Sequence, residues 1–285
     1  MKKLDPKDYG RVLPLVEATP FNVLMARAVL DGDALGTVWV DSISTPRACY
    51  IRHQYGMSYL LGHTEDSVFR SELDRYLVNG TGDRTEPEYL QVHPEGWHRT
   101  IEPQVKLGTI TQWGRSNFSF DRDRFADDRF ANDRFTNNRF ANDCTATTSS
   151  ICPPADRAQI ESFTGAVIPA RFWKTLDHFM RHGIAYHHGD PDKPRITTAL
   201  AFSSYRDTTH LEIGIETAPP YRGRGHARAA CRALIRYCLE TNLKPVWSCR
   251  TENTSSYHLA NALGFQESTR HPFYQLPAVP NESPG

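Results

Sequence analysis

The sequence predicts an α/β fold, and three stretches carry the prediction. Residues 211–217 alternate apolar with mostly polar side chains, the period of a half-buried strand. Behind Pro219 and Pro220 comes a turn rich in glycine and arginine, Tyr221-Arg222-Gly223-Arg224-Gly225. Ala227, Ala230, Cys231, Leu234, Ile235 and Cys238 then recur at helical spacing, with Arg228, Arg232 and Arg236 on the opposite, solvated stripe. Lys244-Pro245-Val246-Trp247-Ser248-Cys249 reads as the next strand. A turn that brings unpaired backbone N–H groups and a helix N-terminus to one point is an anion site.

Composition sets the outer limits. A chain of 285 residues, 39% of them hydrophobic, can bury a sizeable core and divide into two domains. Formal net charge is zero and the pI near 7.2, so no global field draws nucleic acid or an anionic membrane. The six cysteines show no CxxC or Cys/His ligand spacing. They are expected to be reduced core thiols with no metal, which fits a cytoplasmic protein better than a disulfide framework. No segment reaches the ~18 apolar residues of a membrane span, and Met1-Lys2-Lys3-Leu4-Asp5-Pro6 leads into no apolar signal region. A monomer or homodimer is expected.

Taken in order, residues 7–17 and 21–30 read as short helices, the second ended by Asp31-Gly32-Asp33. Residues 35–40 read as a strand, and 48–61 as a hairpin or one long bent strand around Gln54-Tyr55-Gly56. Helical spacing returns over 67–77 with Val68, Leu73, Tyr76 and Leu77 as the inward side. Residues 89–92 and 108–113 are further strands, with Trp97 near a short helical link. From Phe120 a five-residue period begins: Phe120, Phe125, Phe130, Phe135 and Phe140. On a helix each Phe would turn about 140° from the last, and on a strand successive ones would face opposite sides, so no apolar face results. Residues 118–154 are therefore expected to be a solvated linker or loop expansion. A pentapeptide-repeat β-helix is the alternative, and fits poorly because Asp or Asn stands where such repeats want a small residue. Helices are expected over 157–163 and 171–181, the latter with Phe172, Leu176, Phe179 and Met180 inward. Strands 184–188 and 196–205, joined by Gly189-Asp190-Pro191-Asp192, then lead into 211. The domains expected are 1–117, an N-terminal α/β domain; 118–154, the linker; and 155–285, the domain of the glycine turn.

Arg222-Gly223-Arg224-Gly225-His226-Ala227 fits R-x-x-G-x-A, and it resembles the acyl-CoA pyrophosphate loop of the GNAT superfamily of N-acetyltransferases, in the same place between strand and helix. Asn253-Thr254-Ser255-Ser256 and Leu259-Ala260-Asn261-Ala262-Leu263-Gly264-Phe265 resemble the N-x-x-S and A-x-x-L-G-F ending of that fold. Residues 212–265 look most like the bacterial subfamily that includes self-resistance acetyltransferases for zwittermicin A-type aminopolyols. The resemblance implies a GNAT fold in the C-terminal domain, a mixed and mostly antiparallel sheet flanked by helices. It also implies acetyl-CoA as acyl donor and direct attack of a primary amine, carried by a small polar molecule, on the thioester. The N-terminal order of elements is that of a GNAT half, so a degenerate copy is expected there, with an unrelated α/β domain as the alternative. Where the cofactor loop would lie, that half has Gly62-His63-Thr64-Glu65-Asp66, whose two carboxylates would repel a pyrophosphate.

Acetyl transfer to an amine needs the donor held, the amine deprotonated, the carbonyl oxygen stabilised and the thiolate protonated. On the resemblance, the backbone of Gly223, Arg224, Gly225, His226 and Ala227 would hold the pyrophosphate. Arg222 and Arg224 would add charge, one of the two being only a solvated loop arginine. His226 would stack near the cofactor or merely begin the helix. The edge of Ile215, Glu216 and Thr217 is where pantetheine would pair like an added strand. Glu212, Gly214 and Glu216 share a strand face, and if it opens to a cleft either carboxylate would take the amine proton through a water; cross-strand pairing is the structural alternative. The tyrosine that many GNAT enzymes use as proton donor falls at Ala260 here, which leaves Tyr257, one turn earlier, or water. Asn253 and Ser256 would bind cofactor or water, cap the helix, or do both. Two rival functions stay open: a non-catalytic acyl-CoA-binding or sensing module, and an acetyltransferase acting on a protein or aminoacyl-tRNA, the latter disfavoured by the neutral pI.

Overall fold

The computed structural model describes residues 1–126, 152–190 and 193–278. Phe130, Phe135 and Phe140, the later members of the five-residue period, lie outside them. The chain forms two compact units that are not contiguous in sequence. The first comprises 1–116, 250–252 and 270–285; the second comprises 117–249 and 253–269.

In chain order the first elements are β1 (Lys2–Lys3), a 3-10 turn (Pro6–Val12) and helices α1 (Leu13–Glu17) and α2 (Leu24–Leu30). Then come β2 (Gly36–Val40), β3 (Ala48–His53), β4 (Met57–Gly62), α3 (Ser67–Leu77), β5 (Glu88–His93), α4 (Gly96–Lys106) and β6 (Thr111–Phe120). Helices α5 (Arg122–Ala126), α6 (Arg157–Ser162), α7 (Pro169–Phe172) and α8 (Leu176–His182) precede β7 (Ala185–Asp190), β8 (Lys193–Arg206) and β9 (His210–Thr217). After a 3-10 turn at Pro219–Tyr221 the chain ends with α9 (His226–Glu240), β10 (Lys244–Arg250), α10 (Thr254–Ala262) and β11 (Phe265–Leu276).

In the first unit β2, β3 and β4 are antiparallel neighbours, and β5 pairs parallel with β4 from Met57↔Tyr89 to Leu61↔His93. The outer partner of β5 comes from the far end of the chain, the β11 residues Tyr274, Gln275 and Leu276. Helix α3 is in a different phase from the one its sequence suggests: Asp66 caps it by accepting from the Phe69 N–H, so Phe69, Leu73 and Leu77 point inward at i, i+4 and i+8, while Val68 is 61% exposed. A buried ionic cluster closes this unit. Glu88 accepts from the hydroxyls of Tyr50 and Tyr76 and lies 3.4 Å from the Arg84 guanidinium, whose other donors reach the carbonyls of Tyr76 and Pro277.

The second unit has the strand order β11, β6, β10, β9, β8, β7, with the β6 end from Asn117 onward. β7, β8 and β9 form an antiparallel meander, and β10 runs parallel to β9. Helix α9 lies on β7, β8 and β9, and its stripe of Ala230, Cys231, Leu234, Ile235 and Cys238 is fully buried against Leu211 and Ile213. At roughly 1.5–3 kcal/mol for each large apolar side chain, this is the main clamp on the strand–turn–helix unit. The other face is covered by Phe172 and Phe179, which meet Phe202, and by Trp173, which packs on Phe179. The helix expected over 171–181 is in fact broken: α7 ends at Phe172, the extended Trp173 after it donates its indole N–H to the Ser203 carbonyl, and Thr175 caps a new helix, leaving Met180 37% exposed.

The early part of the five-residue repeat belongs to the fold, a departure from the linker expected over 118–154. Phe118 and Phe125 are buried, Phe120 packs between Phe125 and Phe265, and the Arg232 guanidinium stands over the Phe125 ring. Cys152 is buried as well, and Pro154 bridges to Tyr186. Phe120 ends a strand and Phe125 sits in a helix, so a change of secondary structure between them puts both on one core, which neither regular period could do.

Candidate active site

The parallel ladder between β9 and β10 is short. It runs from His210↔Lys244 to Glu212↔Val246 and ends there, although β9 continues to Thr217 on its β8 side. Residues 213–217 therefore have no ladder partner on the β10 side. Immediately past β9 the chain makes the glycine turn. Gly223 and Gly225 have φ of +74° and +83°, the left-handed region that an L side chain avoids, and a Cβ on either would meet no atom within 4 Å. Gly225 is the N-cap of α9 and no side chain caps the first turn, which also carries no acidic residue. The first amides of α9 thus have no side-chain cap, and the positive helix end lies at the turn. The residues present fit a diphosphate: an uncapped helix of 15 residues and two glycines that keep the approach clear.

Behind the turn, His226 reaches back into the sheet. Its ring stacks on His188 at 4.2 Å, and both Nδ1 atoms lie within 2.9 Å of the hydroxyl of fully buried Thr198. That hydroxyl donates to the His188 carbonyl, so each imidazole must carry its proton on Nδ1 and donate to Thr198. Burial, chiefly, holds both histidines below their ordinary pKa, with the charges of His188 and Arg224 adding to the effect on His226. His226 accordingly begins the helix and anchors it. Tyr221 donates to Asp190, and Arg224 stands 6.0 Å from the Tyr221 ring on the exposed side of the turn.

The two carboxylates of β9 differ sharply. Glu212 is 4% exposed and accepts from the Ser248 hydroxyl at 3.1 Å, at the last rung before β9 and β10 part. Glu216 does not wait at an open face. Its Oε2 accepts from the N–H groups of Ala166 and Val167, both at 3.1 Å, and its Oε1 from Arg222 at 3.1 Å, while Arg222 Nε donates to the Thr217 carbonyl. The face shared by Glu212, Gly214 and Glu216 is covered at its middle, because the Phe202 ring lies so close over Gly214 that a Cβ there would approach it to 2.6 Å. Arg222 is correspondingly tied to protein acceptors by two of its nitrogens.

Asn253 and Ser256 act as an N-cap pair: Asn253 Oδ1 accepts from the Ser256 N–H, and the Ser256 hydroxyl accepts from the Trp247 indole. Tyr257 turns away from the gap. Its hydroxyl donates to Glu267 on β11 and its ring packs on Phe118 of β6. β11 stands three strands from β9, about 14 Å at ordinary strand spacing, so the partner that holds this hydroxyl is remote from the β9 edge. Ala260 is fully buried. Sequence reasoning missed Thr198, His188 and Ser248. Only the last had a signal, since Ser248 alternates with the core residues Trp247 and Cys249 on the strand beside Glu212.

Among the described residues, no group of three or more His, Cys, Asp or Glu could hold a metal ion, and no helix is long and apolar enough to cross a membrane. Cys49, Cys152, Cys231, Cys238 and Cys249 are buried free thiols.

Comparison with known proteins agrees with this geometry. The family model described as GNAT acetyltransferase matches residues 19–274. The uncharacterized N-acetyltransferase YdfB of Bacillus subtilis (strain 168) is 22% identical over 249 residues, covering 87% of this chain and 88% of that protein. The crystal structure of a GCN5-related N-acetyltransferase-like protein from Streptococcus suis 89/1591 superposes with a TM-score of 0.65 at 18% identity, covering 95% of this chain and 99% of the other. A tandem GNAT protein from the clavulanic acid biosynthesis pathway superposes with a TM-score of 0.56 at 14% identity over 99% of both chains.

Proposed function

This chain belongs to the GNAT acetyltransferase family, whose enzymes use acetyl-CoA as acyl donor, and from that premise we propose that it acetylates a primary amine on a small polar molecule by direct transfer. The observation that carries the proposal is the coincidence, at one end of β9, of a parallel ladder that opens after Glu212↔Val246 and an uncapped helix behind two left-handed glycines. When bound, acetyl-CoA supplies an acetyl thioester. The amides of residues 223–227 hold the diphosphate, and the β9 edge from Ile215 to Thr217 offers N–H and C=O groups to the pantetheine arm in the manner of strand addition. Glu212, oriented by Ser248, accepts the amine proton through a water. With Tyr257 engaged by Glu267 and Ala260 buried, the thiolate takes its proton from water.

The N-terminal unit is proposed to be a second copy of the fold that holds no donor. Three antiparallel strands, a helix, a parallel strand, a helix and a further strand recur in it as in the C-terminal half. Its equivalent ladder between β4 and β5 stays closed through Leu61↔His93, and the helix start that would face a phosphate is capped by Asp66 beside Glu65. The superposable clavulanic acid pathway protein is described as a tandem GNAT protein, which supports the same reading.

The test is CoA release followed with a thiol-detecting dye across polyamines, aminoglycosides, amino-polyol antibiotics and amino acids, with Gly225→Glu as control. Amine-dependent release that the control lacks is the expected result. Acetyl-CoA that binds and yet is consumed on no small amine would overturn the assignment of acceptor, and no binding at all would overturn the donor site.

A further inference from the structure

The carboxylate of Glu216 joins two segments that have no other stated reason to act together. On one side is residues 163–168, the stretch between α6 and α7; on the other is Arg222, the residue before the glycine turn. Glu216 Oε2 takes the successive N–H groups of Ala166 and Val167, and Oε1 takes Arg222. The stretch lies directly on the carboxylate: a Cβ on Gly165 would come within 2.5 Å of Glu216 Cγ and 3.0 Å of its Oε2, so only glycine permits the approach. From behind, Arg171 holds the Ala166 carbonyl at 3.3 Å. The Glu216 side chain is 12% exposed whereas that of Arg222 is 62% exposed, so the arginine is the solvent-facing end of the link. Its Nε is committed to the Thr217 carbonyl and one terminal nitrogen to Glu216. The second terminal nitrogen of the guanidinium fork carries two further N–H donors on the same rigid plane.

We propose that Glu216 is a positioning residue that couples the glycine turn to residues 165–167, so that an anion held at the turn fixes Arg222, and through Arg222 and Glu216 tightens the 165–167 segment beside the β9 edge. This rests on the reading that the turn holds the CoA diphosphate. Arg222, already oriented by Thr217 and Glu216, presents its remaining fork edge to the anion at little further entropic cost. Coupling of this kind is reciprocal, so an ordered 165–167 segment also favours the anion. Glu216 is then not a base: its two oxygens are acceptors for three donors, and the chemistry is left to Glu212.

Amide hydrogen exchange of the full chain, read at Ala166 and Val167 with and without saturating CoA, tests the coupling. In the native protein CoA slows both amides about fivefold or more, the lower range of ordinary coupling between sites. Glu216→Gln keeps one oxygen for the two amides but sets an NH2 group against Arg222, so exchange without CoA changes little while the CoA-dependent slowing is lost. Arg222→Ala removes the link from the other side and loses the slowing too. A merely structural Glu216 would alter the exchange rate itself, not its response to CoA. Calorimetry on the same samples separates the two failures. CoA that binds yet slows neither amide, or slows them equally in Glu216→Gln, overturns the coupling alone; CoA that does not bind overturns the donor site and the coupling with it.

Discussion

Replacing Glu212 by Gln tests the chemical core of the proposal at little structural cost. The side chain is buried and accepts the Ser248 hydroxyl at 3.1 Å. Gln retains an oxygen in that place, so the Ser248 bond survives and stability should change by less than ~1 kcal/mol. What the amide cannot do is take a proton. General-base catalysis ordinarily contributes about a hundred- to ten-thousandfold, which at 1.36 kcal/mol per decade is ~3 to ~5 kcal/mol of barrier. Initial-rate CoA release should therefore fall by that factor in kcat, while the KM for acetyl-CoA, set by the glycine turn and the β9 edge, stays within about threefold. Ser248→Ala gives the complementary result. It removes a hydrogen-bond donor that favours the charged over the neutral form of a carboxyl group, so the acid limb of the rate profile moves upward in pH without abolishing turnover. A Glu212→Gln enzyme that retains a third or more of native kcat at neutral pH would refute Glu212 as the base. An equal loss of melting temperature and of activity would show that the carboxylate is there for packing.

Three further outcomes follow from the same geometry. Phe125→Ala should destabilise the second unit by about 3–5 kcal/mol, as for a buried aromatic, whereas a solvated repeat would lose under ~0.5 kcal/mol; urea denaturation distinguishes them. Glu88→Gln leaves the guanidinium of Arg84, a residue 4% exposed, without its counter-charge, at a cost of about 3–5 kcal/mol, whereas Glu65→Gln, beside an exposed Arg70, should cost under ~1 kcal/mol in the same assay. His271, stacked at 4.3 Å on Phe21 and bonded to Gln91, is held at about 4 instead of 6.5 by burial, helped by the charges of Arg115 and His98. Because the unfolded chain protonates first, the stability that a neutral His271 contributes is whole above pH 6.5 and is lost as pH falls toward 4, up to ~3 kcal/mol before discounting for residual solvent. His271→Gln should flatten that part of the stability profile, and an unchanged slope between pH 6.5 and 4 would refute the assignment.

The strand, glycine turn and helix were legible in the sequence because they are local. Two glycines, a strand before them and an apolar stripe after them lie within 30 consecutive residues, and each acts through backbone conformation or helical phase, which neighbouring residues decide. The parting of β9 from β10, the cap formed by Asn253 and the burial of Cys231 and Cys238 have the same origin. Where the reading departed from the structure, the deciding contact came from far along the chain. Glu212 and Glu216 have the same side chain on the same face of one strand, and only their partners separate them, Ser248 for one and the Ala166 and Val167 amides for the other. Tyr257 points at Glu267 because β11 lies beyond β6, an order that no local period encodes. The full extent of helix α4, expected only as a short helical link near Trp97, was masked by its own Gly96 and Pro103, both poor helix residues kept in place by the buried Trp97 and Ile101. By itself the sequence determined an α/β chain with a glycine turn between a strand and a helix, since backbone preferences and apolar spacing act over a few residues; how differently the two carboxylates of β9 are held was decided only by tertiary structure, because burial and hydrogen-bond partners are properties of residues brought together from distant parts of the chain.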